Sequence, residues 1–407
     1  MKSRMGKDLR PLFPQLTRTI RGRPLTYLDN AATTLKPKAV IEAVNWYYSS
    51  DVANIHRGAH FLGDQGTTQF EAVREKVRSL LSAAGPEEIV FTKGTTEGIN
   101  LIARTLVRSK LKAGDEILLT EMEHHSNIVP WQLATEGRGI TVKAVRVTPQ
   151  GELDLDDFRQ KLTPRVKIFS FVHVSNALGT INPAVEMIKA AKAIGAYTIV
   201  DAAQSVGLGL ANVQELGCDF LVFSGHKIYG PTGVGAVYGR KEVFSELPPY
   251  QGGGSMISQV TFEKTTYLDL PFRFEAGTQP IAEVIGLGAA IDFLQGMDHS
   301  AARRHERALR ERLLSGLADM GGIRVLGREA GQVNIVSFVM EGTHPNDVGQ
   351  LLDQQGIAVR TGHHCCQPLM ARLGVPGTVR VSFAAYSDQS DVTALLEGMT
   401  KAKGVLQ

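Results

Sequence analysis

Short apolar runs alternate with longer helical segments through the first half of the chain, and this alternation strongly restricts the possible folds. It predicts an α/β protein with a mostly parallel sheet covered by helices. In such sheets, functional side chains collect in the loops beyond the carboxyl ends of the strands. The predicted strands are residues 88–91, 116–120, 141–147, 167–172, 197–200 and 220–223.

The composition excludes several classes of protein. A hydrophobic content of 43% with 21% charged residues is typical of an ordinary globular protein, and a net charge of +3 without a basic, aromatic-rich patch argues against nucleic-acid binding. No apolar run is long enough to span a membrane. The chain has three cysteines, at 218, 365 and 366. An odd, low count argues against a disulfide framework and for a reducing compartment, so we expect a cytoplasmic protein.

The chain is long enough for two domains, and we place their boundary near residue 295. There an apolar helix at 281–294 gives way to a charged helix and then to a small α+β unit. The predicted division is a basic N-terminal arm (1–25) packing with the small domain, a large domain (26–295) and the small C-terminal domain (296–407). Within the large domain we predict a loop at 54–65 and a helix over 66–83.

A lysine follows directly after the strand at 220–223, in the stretch Phe-Leu-Val-Phe-Ser-Gly-His-Lys227. A charged amine at the end of a buried strand is costly to desolvate unless it takes part in chemistry. Lys227 is therefore a candidate for a lysine that binds a cofactor covalently, and Ser224 and His226 are candidate phosphate ligands. The alternative at this point is a surface loop that happens to contain a lysine.

A glycine-rich turn, Gly-Thr95-Thr96-Glu-Gly, joins the strand at 88–91 to a helix. Glycines let backbone N–H groups approach an anion, and the helix N-terminus adds a favourable dipole. The turn is not a Walker A loop, because no Gly-Lys-Ser/Thr follows. An ordinary helix cap by Thr95 or Thr96 is the alternative.

Two further strands end in polar residues. His124, after the strand at 116–120, is placed to stack on a flat ring or to transfer protons, although a structural histidine is the default interpretation. Zinc is disfavoured because there is no His-Glu-x-x-His and no well-spaced third ligand. Asp201 and Gln204 follow the strand at 197–200. A buried aspartate there needs a cationic partner, such as a protonated pyridine nitrogen, or else backbone N–H donors.

A cysteine-containing loop, Arg360-Thr-Gly-His-His-Cys365-Cys366, lies near the C-terminus. Cysteine beside histidine is a candidate nucleophile, because only the thiolate is reactive and nearby positive charge favours it. A metal site and a vicinal disulfide are the alternatives; the spacing suits zinc poorly, and neighbouring cysteines pair only with strain. Arg380 on the next predicted strand is a candidate for gripping a carboxylate, or for an ion pair.

Taken in order, these motifs resemble those of the cysteine desulfurases, which are pyridoxal 5'-phosphate (PLP) enzymes of the class V aminotransferase group. The resemblance covers the chain from about Leu28 to Ser382. The short loop before Cys365 is similar to that of the group II, SUF-type branch, which includes selenocysteine lyases. The resemblance implies the PLP-dependent aminotransferase fold type I, with a mostly parallel seven-stranded sheet in the large domain and the cysteine loop in the small one.

The resemblance also implies which residues bind PLP. Lys227 corresponds to the lysine that carries PLP, His124 to the histidine that stacks on its ring and handles protons, and Asp201 to the partner of the ring nitrogen. Gln204 corresponds to the contact with the ring hydroxyl. The implied phosphate ligands are Thr95, Thr96, Ser224, His226 and, from the second subunit of a homodimer, Thr278.

Further roles follow for the substrate side of the site. Asn176 and Arg380 correspond to substrate-carboxylate contacts, and Arg360 to a residue that lines the site. His56 and Arg57 resemble a loop that reaches the entrance of the neighbouring subunit's site. Cys365 corresponds to the nucleophile by register. Cys366 stands where we expect a small residue, and it is either inert or able to accept sulfur.

The implied activity converts L-cysteine to L-alanine and places the sulfur on Cys365 as a persulfide, for a SUF-type acceptor protein in iron–sulfur cluster assembly. Selenocysteine lyase activity is implied for the same site, and no metal, nucleic-acid or membrane partner is expected. Another class V PLP enzyme, an aminotransferase or a lyase, is the main alternative, and a non-catalytic PLP-binding protein is a third. Cys365 favours the desulfurase, because the alternatives need no thiol nucleophile.

Overall fold

The computed structural model describes residues 5–327 and 333–407. The first four residues of the predicted arm and residues 328–332 of the predicted small domain lie outside the described residues. The described chain begins with three 3₁₀ turns, at Gly6–Asp8, Arg10–Leu12 and Pro14–Thr17, and a two-stranded ribbon of β1 (Thr19–Ile20) and β2 (Arg23–Pro24).

The N-terminal arm packs closely on the rest of the chain. Leu9 and Phe13 are fully buried, and the ring of Phe13 lies 4.3 Å from that of Tyr386, centroid to centroid. Nη1 of Arg10 lies 2.9 Å from Oδ2 of Asp391. The apolar side chains therefore anchor the arm, while the ion pair ties it to the last helix of the chain.

The next elements are β3 (Thr26–Tyr27), α1 (Lys38–Trp46) and α2 (Phe61–Leu81). The predicted loop at 54–65 is wrong from Phe61 onwards, because α2 begins there and His60 caps it by accepting from the Gly63 N–H at 3.1 Å. Gly63 lies in the first turn of α2, where glycine lowers helix propensity and interrupts the apolar spacing by which a helix is recognised in a sequence. The position favours a residue without a side chain, since a Cβ at Gly63 would lie 3.1 Å from the Cα of Gly58.

The large sheet has the seven strands and the mostly parallel arrangement that we expected. Its order is β4-β10-β9-β8-β7-β5-β6, and β10 alone runs antiparallel to its neighbours. The strands are β4 (Ile89–Thr92), β5 (Glu116–Thr120), β6 (Thr141–Val145), β7 (Val166–Val172), β8 (Tyr197–Asp201), β9 (Phe220–Ser224) and β10 (Gly235–Gly239).

Helices cover both faces of this sheet. Along β9, Phe220 and Val222 belong to one apolar cluster, and Leu221 and Phe223 belong to another. Because successive strand side chains point to opposite faces, both faces are buried, as a parallel sheet requires. The helices between the strands and after β10 are α3 (Thr95–Lys110), α4 (Val129–Thr135), α5 (Leu155–Lys161), α6 (Ala184–Ala193), α7 (Val213–Leu216) and α8 (Lys241–Phe244).

The rest of the chain forms a hairpin, two long helices and a second sheet with its own apolar core. The order of the second sheet is β13-β14-β17-β16, all antiparallel, while β15 pairs in parallel with β3. The elements are β11 (Ile257–Val260), β12 (Thr265–Tyr267), α9 (Ile281–Gln295), α10 (His299–Met320), β13 (Ile323–Leu326), β14 (Ile335–Met340), α11 (Pro345–Asp353), β15 (Ile357–Ala358), β16 (Arg360–Gly362), α12 (Gln367–Arg372), β17 (Thr378–Ser382) and α13 (Gln389–Leu406). The domain boundary near residue 295 stays a prediction.

No helix within residues 5–327 and 333–407 has the length and apolar character needed to cross a membrane.

Candidate active site

A cavity of about 210 Å³ opens where β7, β8 and β9 end. The chain reaches it from several directions: from the large sheet, from the loop after β3 and from the cysteine loop of the second sheet. This is the place where a parallel sheet is expected to bind ligands. The predicted site residues that line it are Thr95, Thr96, His124, Asn176, Asp201, Gln204, Ser224, His226, Lys227, Arg360, Cys365 and Arg380.

Lys227 and Asp201 bring opposite charges into this cavity. Burial, reinforced by the positive charge of Arg380, lowers the pKa of Lys227, although the carboxylate of Asp201 opposes the shift. Burial raises the pKa of Asp201, and the positive charge of Lys227 opposes that shift. One oxygen of Asp201 accepts from the Ala203 N–H at 3.0 Å. The cavity therefore offers an amine with an enlarged neutral fraction and a carboxylate that needs a cation.

His124 is held as a neutral ring at one wall of the cavity. Burial, together with the nearby Lys227, lowers its pKa to about 3. Its Nδ1 accepts from the Ser126 N–H at 3.1 Å and lies 2.8 Å from the Ser126 hydroxyl. With Nδ1 occupied, Nε2 is the ring atom left to exchange protons within the cavity. In the described parts of the chain, no cluster of three or more His, Cys, Asp or Glu side chains is arranged to hold a metal ion.

The N-terminus of α3 and the end of β9 form a cup of hydrogen-bonding groups. The Thr95 N–H donates to the Ser224 hydroxyl at 2.8 Å, and the two hydroxyl oxygens lie 2.9 Å apart. Gly94 has φ +142°, and a Cβ there would lie 2.9 Å from Oγ of Ser224, so the turn requires glycine. Burial, with the charges of Lys227 and Lys36, lowers the pKa of His226 beside the cup to about 4.

The polar groups that line this cavity fit PLP. A helix N-terminus with two hydroxyls suits a phosphate group, the buried carboxylate of Asp201 suits a protonated ring nitrogen, and the amine of Lys227 lies in the same cavity. Gln204 is fixed by donating from Nε2 to the Ala31 carbonyl at 2.7 Å. The remaining space is lined by Cys365 and the two arginines.

The cysteine loop has an unusual backbone. His364 and Cys365 both adopt left-handed backbone conformations, with φ of 52° and 57°. Such conformations are strained for residues other than glycine and persist only where contacts with the rest of the protein stabilise them. The His125 N–H donates to the Cys365 carbonyl at 2.7 Å, and the Gln367 N–H donates to Nε2 of His125 at 3.2 Å. His125, which sequence reasoning left without a role, therefore anchors the loop that presents Cys365.

Cys366 lies behind the loop rather than in the cavity. Its side chain is fully buried, and burial raises the pKa of its thiol to about 12. Its Sγ donates to Oδ1 of Asn176 at 3.2 Å, while Nδ2 of Asn176 donates to the His364 carbonyl at 2.9 Å. The Asn176 amide is thus held by the cysteine loop at both ends, and Cys366 has the environment of an unreactive thiol.

Arg360 and Arg380 come from adjacent strands, β16 and β17, and both line the cavity. Arg380 is only 2% exposed; its Nη1 donates to the Asn176 carbonyl at 2.8 Å and its Nη2 to Oδ1 of Asp29 at 3.0 Å. Sequence reasoning missed Asp29. No local signal marks it, because its partners lie more than 300 residues further along the chain.

Lys36 is a second residue that sequence reasoning missed. Its Nζ donates to the His226 carbonyl at 2.9 Å and to the Thr34 carbonyl at 2.7 Å. Burial lowers the pKa of this amine to about 7. Lys36 therefore ties the loop after β3 to the segment that carries Lys227.

Three predicted site residues lie outside the cavity of the same chain. His56 contacts Oε1 of Glu71 through Nε2 at 2.9 Å, and Arg57 is exposed. Thr278 is also exposed and lines a separate cavity of about 500 Å³. The structure does not bring these residues to the Lys227 cavity within one chain.

Comparison with known proteins adds the family. Residues 26–395 match the family described as Aminotransferase class-V. A probable cysteine desulfurase from Vibrio cholerae is 45% identical over 398 residues, 98% of each chain, and a cysteine desulfurase from Dickeya dadantii is 44% identical over 395 residues, 97% of this chain and 96% of that one.

Two solved structures are similar throughout. An apo cysteine desulfurase from Thermococcus onnurineus has a TM-score of 0.94 at 40% identity, covering 99% of this chain and 100% of that one. The cysteine desulfurase CsdA from Escherichia coli has a TM-score of 0.92 at 39% identity, covering 98% of each. Because the family match and both relatives extend over nearly the full length, the chain belongs to the class V aminotransferases, which are PLP-dependent enzymes of fold type I.

Proposed function

We propose that the protein is a cysteine desulfurase, which converts L-cysteine to L-alanine and passes the sulfur to Cys365. The observation that carries this proposal is the presence of the Cys365 thiol in the same cavity as Lys227 and Asp201. An aminotransferase would need the amine and the carboxylate but not the thiol. The names of the full-length relatives support the same activity.

The site residues divide the work of holding PLP. Lys227 would carry it, Asp201 would pair with the ring nitrogen, and His124 would lie against the ring. Thr95, Thr96, Ser224 and His226 would bind the phosphate, and Gln204 would contact the ring hydroxyl. Bound PLP supplies an electron sink for the bond that breaks at the α-carbon of the substrate.

The substrate is oriented by its carboxylate and then loses its α-proton. Arg380 and Arg360 bind the carboxylate, with Asn176 as a further donor. Once the amino group of the substrate has replaced Lys227 on PLP, the freed Nζ of Lys227 would accept the α-proton, since burial lowers its pKa and enlarges the fraction of neutral amine. The neutral Nε2 of His124 accepts the proton of the substrate thiol.

The sulfur transfer is a nucleophilic attack by Cys365. A bond forms between Sγ of Cys365, as thiolate, and the sulfur of the substrate, while the carbon–sulfur bond breaks and its electron pair stays with the β-carbon. The β-carbon takes up the proton held by His124, and the α-carbon regains the proton held by Lys227, which gives alanine and leaves a persulfide on Cys365. The left-handed backbone at Cys365 and its anchor on His125 hold the thiol at the cavity.

The decisive experiment measures alanine and sulfide release from L-cysteine in the presence of a thiol reductant. We expect equal amounts from the wild type, none from Cys365→Ser, and none from Lys227→Ala, which also loses the visible absorbance of bound PLP. A Cys365→Ser variant with full activity would remove Cys365 from the mechanism. A Lys227→Ala variant that stays yellow and active would overturn the assignment of the lysine.

We further propose a homodimer in which each subunit completes the other's site. Thr278 and Arg57 lie outside the cavity of their own chain. Large apolar side chains close to Arg57 in the sequence, such as Trp46 (61% exposed) and Phe61 (76% exposed), lie on the surface and are available for a subunit contact. Mixed dimers of Lys227→Ala and Thr278→Ala chains test this. One intact site and restored activity are expected if Thr278 acts across the dimer; a monomeric, fully active enzyme would refute it.

The sulfur acceptor we propose is a SUF-type protein of the cytoplasm, supported by the short Arg-Thr-Gly-His-His-Cys365 loop. Adding such an acceptor should accelerate turnover of L-cysteine, and an unchanged rate would count against it.

We propose selenocysteine lyase activity for the same site. Alanine release from L-selenocysteine should persist in Cys365→Ser, because removal of selenium depends less on the thiol.

A further inference from the structure

Asp29 joins the two arginines of the candidate carboxylate site. Its Oδ1 accepts from Nη2 of Arg380 at 3.0 Å and from Nε of Arg360 at 3.1 Å, and its Oδ2 lies 3.2 Å from the same Nε. One carboxylate therefore serves both guanidinium groups. The arrangement differs from a surface ion pair, because Arg380 is 2% exposed and Asp29 16% exposed.

The two arginines need such a partner. Arg360 and Arg380 are direct partners in the antiparallel pairing of β16 with β17, so their side chains leave the same face of the sheet. Like charges placed opposite each other in this way repel. A buried guanidinium is also costly without an anion, and burial together with Arg360 lowers the pKa of Arg380 while Asp29 opposes the shift.

The backbone fixes Asp29 at this place. The Leu28 N–H donates to the Ala358 carbonyl at 2.9 Å, and the Ser382 N–H donates to the Leu28 carbonyl at 2.8 Å. Asp29 itself forms a β-bridge with Ser382. The backbone at Asp29 is thus fastened between β15 and β17, the strand that carries Arg380, and the carboxylate is not a mobile surface group.

We propose that Asp29 is a specificity-determining positioning residue, which holds Arg360 and Arg380 together and leaves the pair with one net positive charge, matched to an amino acid with a single carboxylate. This rests on the proposed function only in taking the arginine pair as the carboxylate site. One guanidinium charge is compensated by Asp29, and the other remains for the ligand. A ligand with a second anionic group meets the negative charge of Asp29 without a second free positive charge.

The charge of the ligand provides the test. Coulomb energy scales with the product of the charges, so removing the negative charge of Asp29 favours a ligand with two carboxylates about twice as strongly, in free energy, as a ligand with one. A defect that merely distorts the pocket weakens both ligands alike. The ratio of two dissociation constants therefore separates the electrostatic role from a structural one.

The experiment titrates the holoenzyme with L-alanine and with L-aspartate and follows the visible absorbance of bound PLP. For Asp29→Asn we expect the ratio of the alanine to the aspartate dissociation constant to rise about tenfold over the wild type. Asp29→Glu keeps the charge, and its ratio should stay close to that of the wild type. Asp353→Asn is the matched control, since Asp353 pairs with Arg21 at 2.8 Å on the surface; its ratio should not change.

An unchanged ratio in Asp29→Asn overturns the proposal, even if both ligands bind more weakly. If Asp29→Asn fails to fold or to hold PLP, Arg360→Gln tests the same charge balance, because Arg360 is 45% exposed and its loss removes a positive charge. That ratio should fall, and an unchanged one overturns the proposal. A wild type that binds both ligands but releases no sulfide from L-cysteine would refute the desulfurase activity, and the binding ratios would still decide the role of Asp29.

Discussion

Cys365 and Cys366 are adjacent in the sequence and lie in different environments. Cys365 lines the cavity on a strained, left-handed backbone, whereas Cys366 is fully buried behind it. Burial raises the pKa of the Cys366 thiol to about 12, so almost none of it is thiolate at neutral pH. The sequence left open whether Cys366 accepts sulfur, and its environment favours an inert thiol that orients Asn176.

At the residue scale, we predict that Cys366→Ala keeps the kcat for L-cysteine and raises KM by no more than about fivefold, because only a hydrogen bond to Asn176 of about 1 kcal/mol is lost. Cys366→Ser keeps a donor at this position and should match the wild type more closely. Initial rates of alanine release give both constants, and mass spectrometry locates the persulfide. Persulfide found on Cys366 of the wild type would contradict the prediction.

At the element scale, a buried ion pair links α2 to the segment before α9. Arg74 on α2 is 1% exposed and donates from Nη1 and Nη2 to the two oxygens of Glu275 at 2.7 and 3.0 Å. Its guanidinium carbon lies 4.7 Å from the centre of the Phe91 ring on β4. Glu275 also accepts from the Phe91 N–H at 2.7 Å. Three elements therefore depend on one carboxylate.

We predict that Glu275→Gln lowers stability by roughly 3 kcal/mol, because the buried guanidinium of Arg74 loses its buried counter-charge and keeps only the partly exposed Glu71. The matched control is Glu75→Gln, which breaks the exposed pair with Arg78 on the same helix and should cost no more than about 0.5 kcal/mol. Urea denaturation followed by circular dichroism compares the two. Equal shifts of the urea midpoint in both variants would show that the buried pair contributes no more to stability than the exposed one.

At the scale of the whole molecule, stability depends on histidines that are buried in the neutral form. His173, directly after β7, is 6% exposed, and its Nδ1 has no hydrogen-bond partner among the described residues. Burial lowers its pKa to about 4, against about 6.5 for the unfolded chain. Between these values the unfolded chain binds more protons than the folded one, so stability is complete above pH 6.5 and falls as the pH drops towards 4.

We predict that His173→Gln reduces the loss of stability between pH 7 and pH 4 by roughly 3 kcal/mol, since one unit of pKa shift corresponds to about 1.4 kcal/mol. The measurement is the urea midpoint of wild type and variant at both pH values. His344→Gln, at an exposed histidine, serves as the control. A variant with the same pH dependence as the wild type would exclude His173 as a contributor.

The sequence by itself determined most strands of the large sheet, in their order along the chain, and most of the segments that line the cavity. Strand–helix alternation predicted the parallel sheet, and the polar residues after four predicted strands, with the cysteine loop, predicted most of the cavity lining. These signals are local, since periodicity and turn chemistry are read over a few residues. The strand Gly235–Gly239 was missed because its glycines are typical of a loop, and the start of α2 was missed for the same reason.

Only the tertiary structure decided which distant residues meet. It placed Asp29 between Arg360 and Arg380, Lys36 against the His226 carbonyl, and His125 under the cysteine loop. It also separated Cys365 from Cys366, one at the cavity and one in the core. Burial and charge pairing between segments hundreds of residues apart are set by packing, and no pattern over a few neighbouring residues encodes them.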